Sequence, residues 1–355
     1  MNVLILTAKF GMGHVNVAEA IKEETLEKDS KAKVTILDFC EYLFPYYYKI
    51  MYYNFNFAVS KVPPVYEVVN TLIKKAISLP LDPISINKID KLLDEYKPDI
   101  VIATYPMGAR YISAYKEIKD INLPLYTYIT DLAIKDEWLY KNTDLYFVGA
   151  DYTKNLLVTK GINPQQIVVS GIPVRKNFNN KKLHKKGTNK TEILIMGGGL
   201  GLIPISPRLL NLLLENNNNH ITIITGKNIR FKKYLLKKYP TINTIGYTKD
   251  VYRFMKKADV IITKPGGITT FEAINMGTPL YVFKPFLSQE KGNAKYIEEQ
   301  NIGRIIDYDS EQDIVSFLEN DKLLDDMKKN MYNIKCNWES DNILNYCNKK
   351  DNKWM

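Results

Sequence analysis

The sequence predicts an α/β protein of two domains. Short apolar runs of strand length alternate with longer helical patterns from one end of the chain to the other. The runs are apolar on both faces, which is typical of parallel strands buried beneath helices. A polar stretch at residues 177–191 contains few core residues and divides the pattern, and 355 residues are enough for about two domains.

The first half contains six predicted strands, at residues 3–7, 34–38, 100–104, 125–130, 145–149 and 167–171. Four more follow at 192–197, 221–226, 260–264 and 280–284. Intervening segments such as Val15–Glu27 supply the covering helices. We therefore predict one domain over residues 1–176 and another over 177–340, with 341–355 forming a helix that packs back on the first domain.

Composition excludes several classes of protein. With 45% hydrophobic and 25% charged residues, the chain is neither disordered nor collagen-like. Cys40, Cys336 and Cys347 are too far apart for a metal-ligand motif or a disulfide framework, so a reducing cytoplasm is expected. We expect no secretory signal, because the start MNVLILTAKFGMGH lacks a basic segment followed by a long apolar run. No apolar stretch approaches the roughly 18 residues of a membrane span, so a soluble or membrane-surface protein is expected.

The positive charge is concentrated in the second half of the chain. Residues 1–175 contain 20 basic and 20 acidic side chains, whereas residues 176–355 contain 29 and 19, which accounts for the net charge of +10. Such asymmetry favours an anionic partner, either an acidic membrane surface or a phosphorylated substrate. Nucleic acid is not expected, because no nucleic-acid-binding motif accompanies the charge.

Residues 42–57 contain nine aromatic side chains in sixteen positions. Tyrosine combines an apolar ring with a polar tip, which suits the boundary between water and lipid. The segment is therefore either a membrane-facing or lipid-acceptor surface, or an aromatic helical hairpin packed within its own domain.

The first glycine turn, Gly11-Met12-Gly13-His14, lies between a predicted strand and a helix that we expect to open at Val15. Glycine lets the backbone approach a ligand, and the helix N-terminus presents N–H groups and a positive dipole end. That end should lower the pKa of His14 and keep its imidazole neutral, as a general base requires. Capping of the helix or binding of phosphate is the alternative role for His14.

Two further turns follow strands, Gly171-Ile172-Pro173-Val174-Arg175 and Gly197-Gly198-Gly199-Leu200-Gly201. Neither is a Walker phosphate loop, and Pro204 stands where a dinucleotide-binding loop needs glycine or alanine. Each turn alone indicates little, because tight strand-to-helix turns often use glycine for packing.

Residues 263–295 carry the pattern of a sugar-nucleotide site. Lys264 ends a strand, Gly266 and Gly267 form a turn, and a helix is predicted to begin near Thr269 or Thr270 with Glu272 in its first turn. Backbone N–H groups there suit a diphosphate, and Glu272 can accept hydrogen bonds from vicinal hydroxyls. Gln289, Glu290 and Asn293 add donors and acceptors suited to a sugar.

Four segments together resemble one enzyme family. They are LILTAKFGMGHVNVA, ITDLAIKDEW, GIPVRKNF and TKPGGITTFEA with KPFLSQEKGNA, and they cover nearly the whole chain in order. They are similar to the bacterial processive diacylglycerol glucosyltransferases and the related monogalactosyldiacylglycerol synthases. The resemblance implies a GT-B fold, in which two Rossmann-like domains face each other across a cleft. It also implies inverting transfer of a hexose from a UDP-sugar to the hydroxyl of 1,2-diacylglycerol, on the cytoplasmic face of the membrane as a peripheral protein.

The resemblance also assigns residues. It implies that His14 is the catalytic base and that Asp131 is a second candidate for the base or orients His14. The implied donor site comprises Gly11, Gly13, Gly171, Arg175, Gly198, Gly199, Tyr247, Lys264, Gly266, Gly267, Ile268, Thr269, Glu272, Gln289, Glu290 and Asn293. Lys135 departs from the family, which usually has histidine there, so an acceptor role for this position is not carried over. In this family the region of residues 42–57 approaches the bilayer.

We expect no metal and no cofactor besides the UDP-sugar donor, because Asp307-Tyr308-Asp309 lies in a polar loop beyond the donor motif. The expected partners are UDP-hexose, diacylglycerol and an anionic membrane surface. Glucose is favoured, with galactose left open. The alternatives are a glycosyltransferase acting on a polyprenyl-linked cell-envelope intermediate, a sugar-nucleotide 2-epimerase of the same fold, and a non-enzymatic sugar-nucleotide sensor.

Overall fold

The computed structural model describes residues 1–61, 81–134, 136–179, 190–285, 288–306 and 312–338. The chain forms two compact units. Unit 1 consists of two chain segments, Met1–Lys176 and a second one that begins at Trp338. Unit 2 consists of the residues between them, Asn177–Asn337. The predicted helix at 341–355 lies outside the described residues.

Unit 1 is a six-stranded parallel sheet with helices in the connections. Its strands are β1 Asn2–Thr7, β2 Lys33–Asp38, β3 Ile100–Ala103, β4 Leu125–Tyr128, β5 Leu145–Val148 and β6 Ile167–Val169, in the order β2-β1-β3-β4-β5-β6. Its helices are α1 Gly13–Lys28, α2 Phe39–Leu43, α3 Tyr48–Lys61, α4 Pro83–Tyr96, α5 Pro106–Lys119 and α6 Asp151–Thr159.

Unit 2 has the same architecture. Its strands are β7 Thr191–Met196, β8 Asn219–Ile224, β9 Asn243–Ile245, β10 Val260–Thr263, β11 Leu280–Phe283 and β12 Gly303–Ile306, in the order β12-β11-β10-β7-β8-β9. Its helices are α7 Pro207–Glu215, α8 Ile229–Lys238, α9 Val251–Lys257, α10 Gly267–Met276, α11 Ser288–Glu299, α12 Asp313–Glu319 and α13 Asp321–Cys336.

All ten predicted strands are present, and the structure adds two that the sequence did not indicate. The additional strands, β9 and β12, lie at the outer edges of the sheet of unit 2. An edge strand is covered less completely than a central one, so its sequence needs no continuous apolar run. Strand β9 is only three residues long, and β12 contains the exposed Arg304, so neither forms a continuous apolar run.

The strand order places one switch point in each sheet. In unit 1 the chain runs outward from β1 to β2 and then crosses to β3 on the other side of β1. In unit 2 the corresponding neighbours are β7 and β10. Parallel α/β sheets bind ligands at the carboxyl ends of the strands where the order reverses. The turn between β1 and α1 lies at the switch point of unit 1. The glycine turns after β7 and β10 lie at the switch point of unit 2.

Trp338, the first residue of the second segment of unit 1, packs its indole ring against Gly171. Gly171 has φ +73°, and a Cβ atom built on it would lie 2.7 Å from the Trp338 ring. Glycine is therefore required here both by the backbone conformation and by the indole. Within the described residues, no helix has the length and apolar character needed to cross a membrane.

Candidate active site

The backbone carbonyl of Thr104 determines the tautomer of His14. His14 Nδ1 lies 3.0 Å from Thr104 O and 3.0 Å from Thr130 Oγ1. A carbonyl oxygen can only accept, so Nδ1 carries the proton of the neutral ring and Nε2 carries the lone pair. Thr104 Oγ1 in turn donates to the His14 carbonyl at 3.1 Å. These contacts join the first turn of α1 to the ends of β3 and β4.

Two aromatic rings pack beside the imidazole of His14. Its centroid lies 4.9 Å from that of Tyr105, edge to face, and 6.2 Å from that of Trp138. Burial lowers the pKa of His14 from 6.5 to about 4, so the ring is neutral near pH 7. The predicted direction is confirmed, but desolvation of the ring is the main cause, whereas the sequence had indicated the helix terminus.

The turn before His14 is fixed by α3. The Tyr52 hydroxyl accepts from Lys9 N at 3.1 Å and donates to Asp38 Oδ1 at 2.6 Å. Phe10 packs on Tyr52 and stacks on Tyr105, with centroid separations of 4.7 and 5.2 Å. Gly11 has φ +86°, which favours glycine. The first helix begins at Gly13, two residues before the predicted start.

Asp131 lies at the same edge of the sheet, directly after Thr130, and is partly exposed. The roles of Thr104 and Thr130 were not predicted. Their positions just beyond β3 and β4 are the signal that could have found them, because parallel strands bring such residues to the edge that carries His14. Arg175 belongs to unit 1 as well, and Lys135 lies outside the described residues.

In unit 2, the glycine loop after β7 is attached to the end of β8. A Cβ atom on Gly201 would lie 1.8 Å from Thr225 O, and one on Gly226 would lie 2.6 Å from Gly199 O. Lys227 N donates to Gly199 O at 3.0 Å. These close approaches require glycine for packing. Gly198, with φ +70°, lies under the Lys264 side chain, and a Cβ built on it would lie 3.7 Å from Lys264 Cε.

The turn after β10 is held rigidly. Gly266 N donates to Lys264 O at 2.8 Å, and Asn293 Nδ2 donates to Pro265 O at 3.0 Å. The Gly266 carbonyl accepts from both the N–H and the hydroxyl of Thr270. Asn293 is fully buried, and one of its amide hydrogens is used in this hydrogen bond to the turn.

Helix α10 begins earlier than predicted. Gly266 is its N-cap and Gly267 its first residue, so the predicted start near Thr269 or Thr270 is wrong. Glu272 consequently lies in the second turn, not the first, and is buried with 7% exposure. Ile268 and Thr269 occupy the first turn, whose N–H groups and positive dipole end suit an anion.

Lys264 and Glu290 form an ion pair beside this turn. Lys264 Nζ lies 3.1 Å from Glu290 Oε1, and the two side chains expose 31% and 7% of their surface. The structure thus brings together the glycine loop, the turn after β10 and the start of α11. The side chain of Gln289 lies outside what the structure describes.

Tyr247 lies further along the same sheet, just after β9. Its ring is 48% exposed, and Lys227 Nζ lies 5.8 Å from the ring centroid. Among the described residues, no group of three or more His, Cys, Asp or Glu side chains could hold a metal ion. Asp307 and Asp309 lie outside that part of the chain.

Known proteins match both halves of the chain. Residues 14–174 match the model of monogalactosyldiacylglycerol (MGDG) synthase, and residues 192–339 match the glycosyltransferase family 28 C-terminal domain. The chain is 31% identical to the processive diacylglycerol beta-glucosyltransferase of Bacillus cereus, covering 92% of this chain and 86% of the relative. The enzyme of that name from Bacillus licheniformis is 29% identical, covering 97% and 93%.

The chain belongs to the diacylglycerol glucosyltransferase and MGDG synthase family. The predicted resemblance is therefore confirmed. The crystal structure of MurG from Acinetobacter baumannii is similar in fold, with a TM-score of 0.64, 15% identity and coverage of 99% of this chain and all of that one. The predicted GT-B class, with two Rossmann-like domains, is also confirmed. The relatives named above are glycosyltransferases by name, and this chain has glycine turns at the switch point of each of its sheets.

Proposed function

We propose that the chain transfers a hexose from a UDP-sugar to the hydroxyl of 1,2-diacylglycerol, with inversion at the anomeric carbon. One structural observation carries the proposal beyond family membership. His14 is neutral near pH 7, and its contact with the Thr104 carbonyl leaves Nε2 as the basic nitrogen. A positioned base of this kind is what a lipid hydroxyl needs in order to attack.

Unit 2 binds the donor in this proposal. The first turn of α10 and the backbone of Gly266 and Gly267 receive the diphosphate, and Glu272 receives the ribose hydroxyls. Gly198 and Gly199 approach the phosphates, and the backbone beside Tyr247 contacts uracil. Gln289 and Glu290 contact the hexose.

The reaction is a single displacement. His14 Nε2 takes the proton from the acceptor hydroxyl while its oxygen forms a bond to the anomeric carbon, and Asp131 assists in this step. The bond from that carbon to the diphosphate oxygen breaks, and UDP leaves with the electron pair. The start of α10 and Arg175 stabilise the charge that develops on UDP. We propose that no metal or other cofactor participates.

The enzyme acts as a peripheral protein on the cytoplasmic face of the membrane. Helix α3 and the residues before it expose five large apolar side chains, at 52–87% of their surface: Tyr46, Tyr47, Ile50, Tyr53 and Phe57. Such a face suits the membrane interface, and the basic excess of the second half suits anionic lipid headgroups. Glucose is the proposed sugar, supported by the names of the Bacillus relatives.

The test is to incubate the purified protein with UDP-glucose or UDP-galactose and vesicles containing diacylglycerol, and to identify the lipid product. Glucosyl-diacylglycerol is expected. His14→Ala should lower kcat by about 10²–10⁴-fold with UDP affinity nearly unchanged, because a general base contributes on that order. His220→Ala is the matched control, since His220 pairs with Glu192 in unit 2.

Other results would contradict the proposal. Transfer only to a polyprenyl-linked acceptor would support the first alternative, and conversion of the free sugar nucleotide would indicate an epimerase. Donor binding without turnover, unaffected by His14→Ala, would indicate a sensor.

A further inference from the structure

The Glu290 carboxylate is almost completely buried beside the ammonium group of Lys264. Glu290 exposes 7% of its side chain, and Lys264 Nζ lies 3.1 Å from its Oε1. Burying a carboxylate costs free energy unless an opposite charge or hydrogen bonds compensate, so the contact with Lys264 helps to offset the burial of Glu290.

Two hydrogen bonds and one close approach of chain segments constrain the geometry of this pair. Lys264 follows β10 directly, and its chain passes over Gly198, where a Cβ atom would lie 3.7 Å from Lys264 Cε. The Lys264 carbonyl accepts from Gly266 N, and Asn293 on α11 donates to Pro265 O. The element that carries Glu290 is therefore tied to the turn that follows Lys264.

The pair has a net charge of zero. A lysine engaged with a carboxylate at 3.1 Å attracts a diphosphate far less than an isolated lysine would. The charge that attracts phosphate would come instead from the N-terminus of α10. A carboxylate fixed at the start of α11 is an acceptor suited to hydroxyl groups.

We propose that Lys264 is a positioning residue for the donor sugar rather than a ligand of the diphosphate. It holds the Glu290 carboxylate in place, oriented toward the hexose hydroxyls. This inference rests on the proposed function and changes the part assigned to Lys264 within it. Lys264 thereby contributes to the distinction between UDP-hexose and UDP.

The test compares the binding of UDP-glucose and of UDP by calorimetry, without acceptor. Lys264→Met should weaken UDP-glucose binding by about 10-fold or more and leave UDP binding within about twofold, because only the hexose loses a carboxylate acceptor held in position. Glu290→Gln should show the same selective loss. The double variant should lose no more than either single variant, because the two residues act as one unit.

Lys295→Met is the matched control, since Lys295 lies on the same helix and pairs with Glu299 at the surface at 3.5 Å. It should change neither affinity. Lys264→Arg, which keeps the charge, should retain most of the preference for UDP-glucose. If Lys264→Met does not fold, as judged by its melting curve, Glu290→Gln provides the same readout.

An equal loss of UDP and UDP-glucose affinity in Lys264→Met would overturn the inference and return Lys264 to the diphosphate, with the proposed function intact. So would additive losses in the double variant. A wild-type protein that binds neither ligand would overturn the proposed function, and the inference with it.

Discussion

The imidazole of His14 receives its orientation from the ends of two neighbouring strands. Its sequence context, between Gly13 and the body of α1, identified it as a candidate base. The contacts that orient the ring come from Thr104 and Thr130, which are 90 and 116 residues away along the chain. Threonine at a strand end has no distinctive sequence pattern, so these two partners emerge only when the strands are paired.

Burial of His14 predicts an unusual pH dependence. Because the pKa of His14 is lowered to about 4, the base stays unprotonated over the range in which an ordinary histidine gains a proton. The acidic limb of kcat/KM should therefore have its midpoint near pH 4 and not near 6.5. The unfolded chain binds this proton more tightly, so the free energy of unfolding should fall as the pH drops from 6.5 toward 4.

The proton on His14 can be followed by NMR titration. Tyr105→Ala should raise the pKa of His14 toward 6.5, because it removes a ring packed at 4.9 Å and admits water. A wild-type pKa near 6.5 would contradict the burial account.

At the scale of single elements, the glycine turns were predictable in place but not in detail. The strand before each turn is a continuous apolar run, which identified the turns after β1, β7 and β10. The starts of α1 and α10 were predicted too late, because glycine is unfavourable inside a helix. At the first positions that cost is small, and Gly13 and Gly267 open their helices.

The turn after β10 allows ligand binding and folding to be separated. Gly266 has φ −83°, and a Cβ built on it would lie no closer than 3.8 Å to another atom, so the fold admits alanine there. Gly266→Ala should therefore keep the melting temperature within about 2 °C, corresponding to less than about 0.5 kcal/mol. It should weaken UDP binding about tenfold, because the added methyl group limits the approach of the diphosphate.

Gly201→Ala gives the contrasting case. Its Cβ would lie 1.8 Å from Thr225 O, so the melting temperature should fall markedly. Unchanged UDP affinity in a stable Gly266→Ala protein would exclude this turn as the diphosphate site.

At the scale of the whole molecule, the alternation of apolar runs and helical segments was sufficient to predict two α/β units. The two missed strands lie at sheet edges, where fewer side chains are buried and the sequence therefore needs no continuous apolar run. The aromatic segment contains both buried and exposed rings. Tyr52 is buried at 9% exposure and supports the turn before His14, whereas Tyr46 and Tyr53 expose 87% and 69% of their surface. Aromatic content alone does not indicate which rings face inward.

The exposed side chains of this segment allow the proposed association with lipid to be tested. Replacing Tyr46, Tyr53 and Phe57 by serine removes exposed apolar surface without touching the buried Tyr52. Binding to vesicles of diacylglycerol and anionic phospholipid should weaken by about tenfold or more, since each buried aromatic ring contributes about 1–2 kcal/mol at an interface. UDP affinity should be unchanged, because none of the three is among the residues proposed to bind the donor.

Vesicle flotation measures this association, and activity on a short-chain, water-soluble diacylglycerol tests whether chemistry is intact. The triple change of Ile84, Ile118 and Tyr332 to serine is the matched control, because these side chains expose 70%, 52% and 65% of their surface elsewhere on the two units. It should leave flotation unchanged, because loss of exposed apolar surface matters only where that surface meets lipid. Equal losses in the two triple variants would show that general surface hydrophobicity, and not the face around α3, governs binding. Loss of activity on the soluble acceptor in the first variant alone would place those aromatic side chains in acceptor binding or catalysis instead of membrane contact.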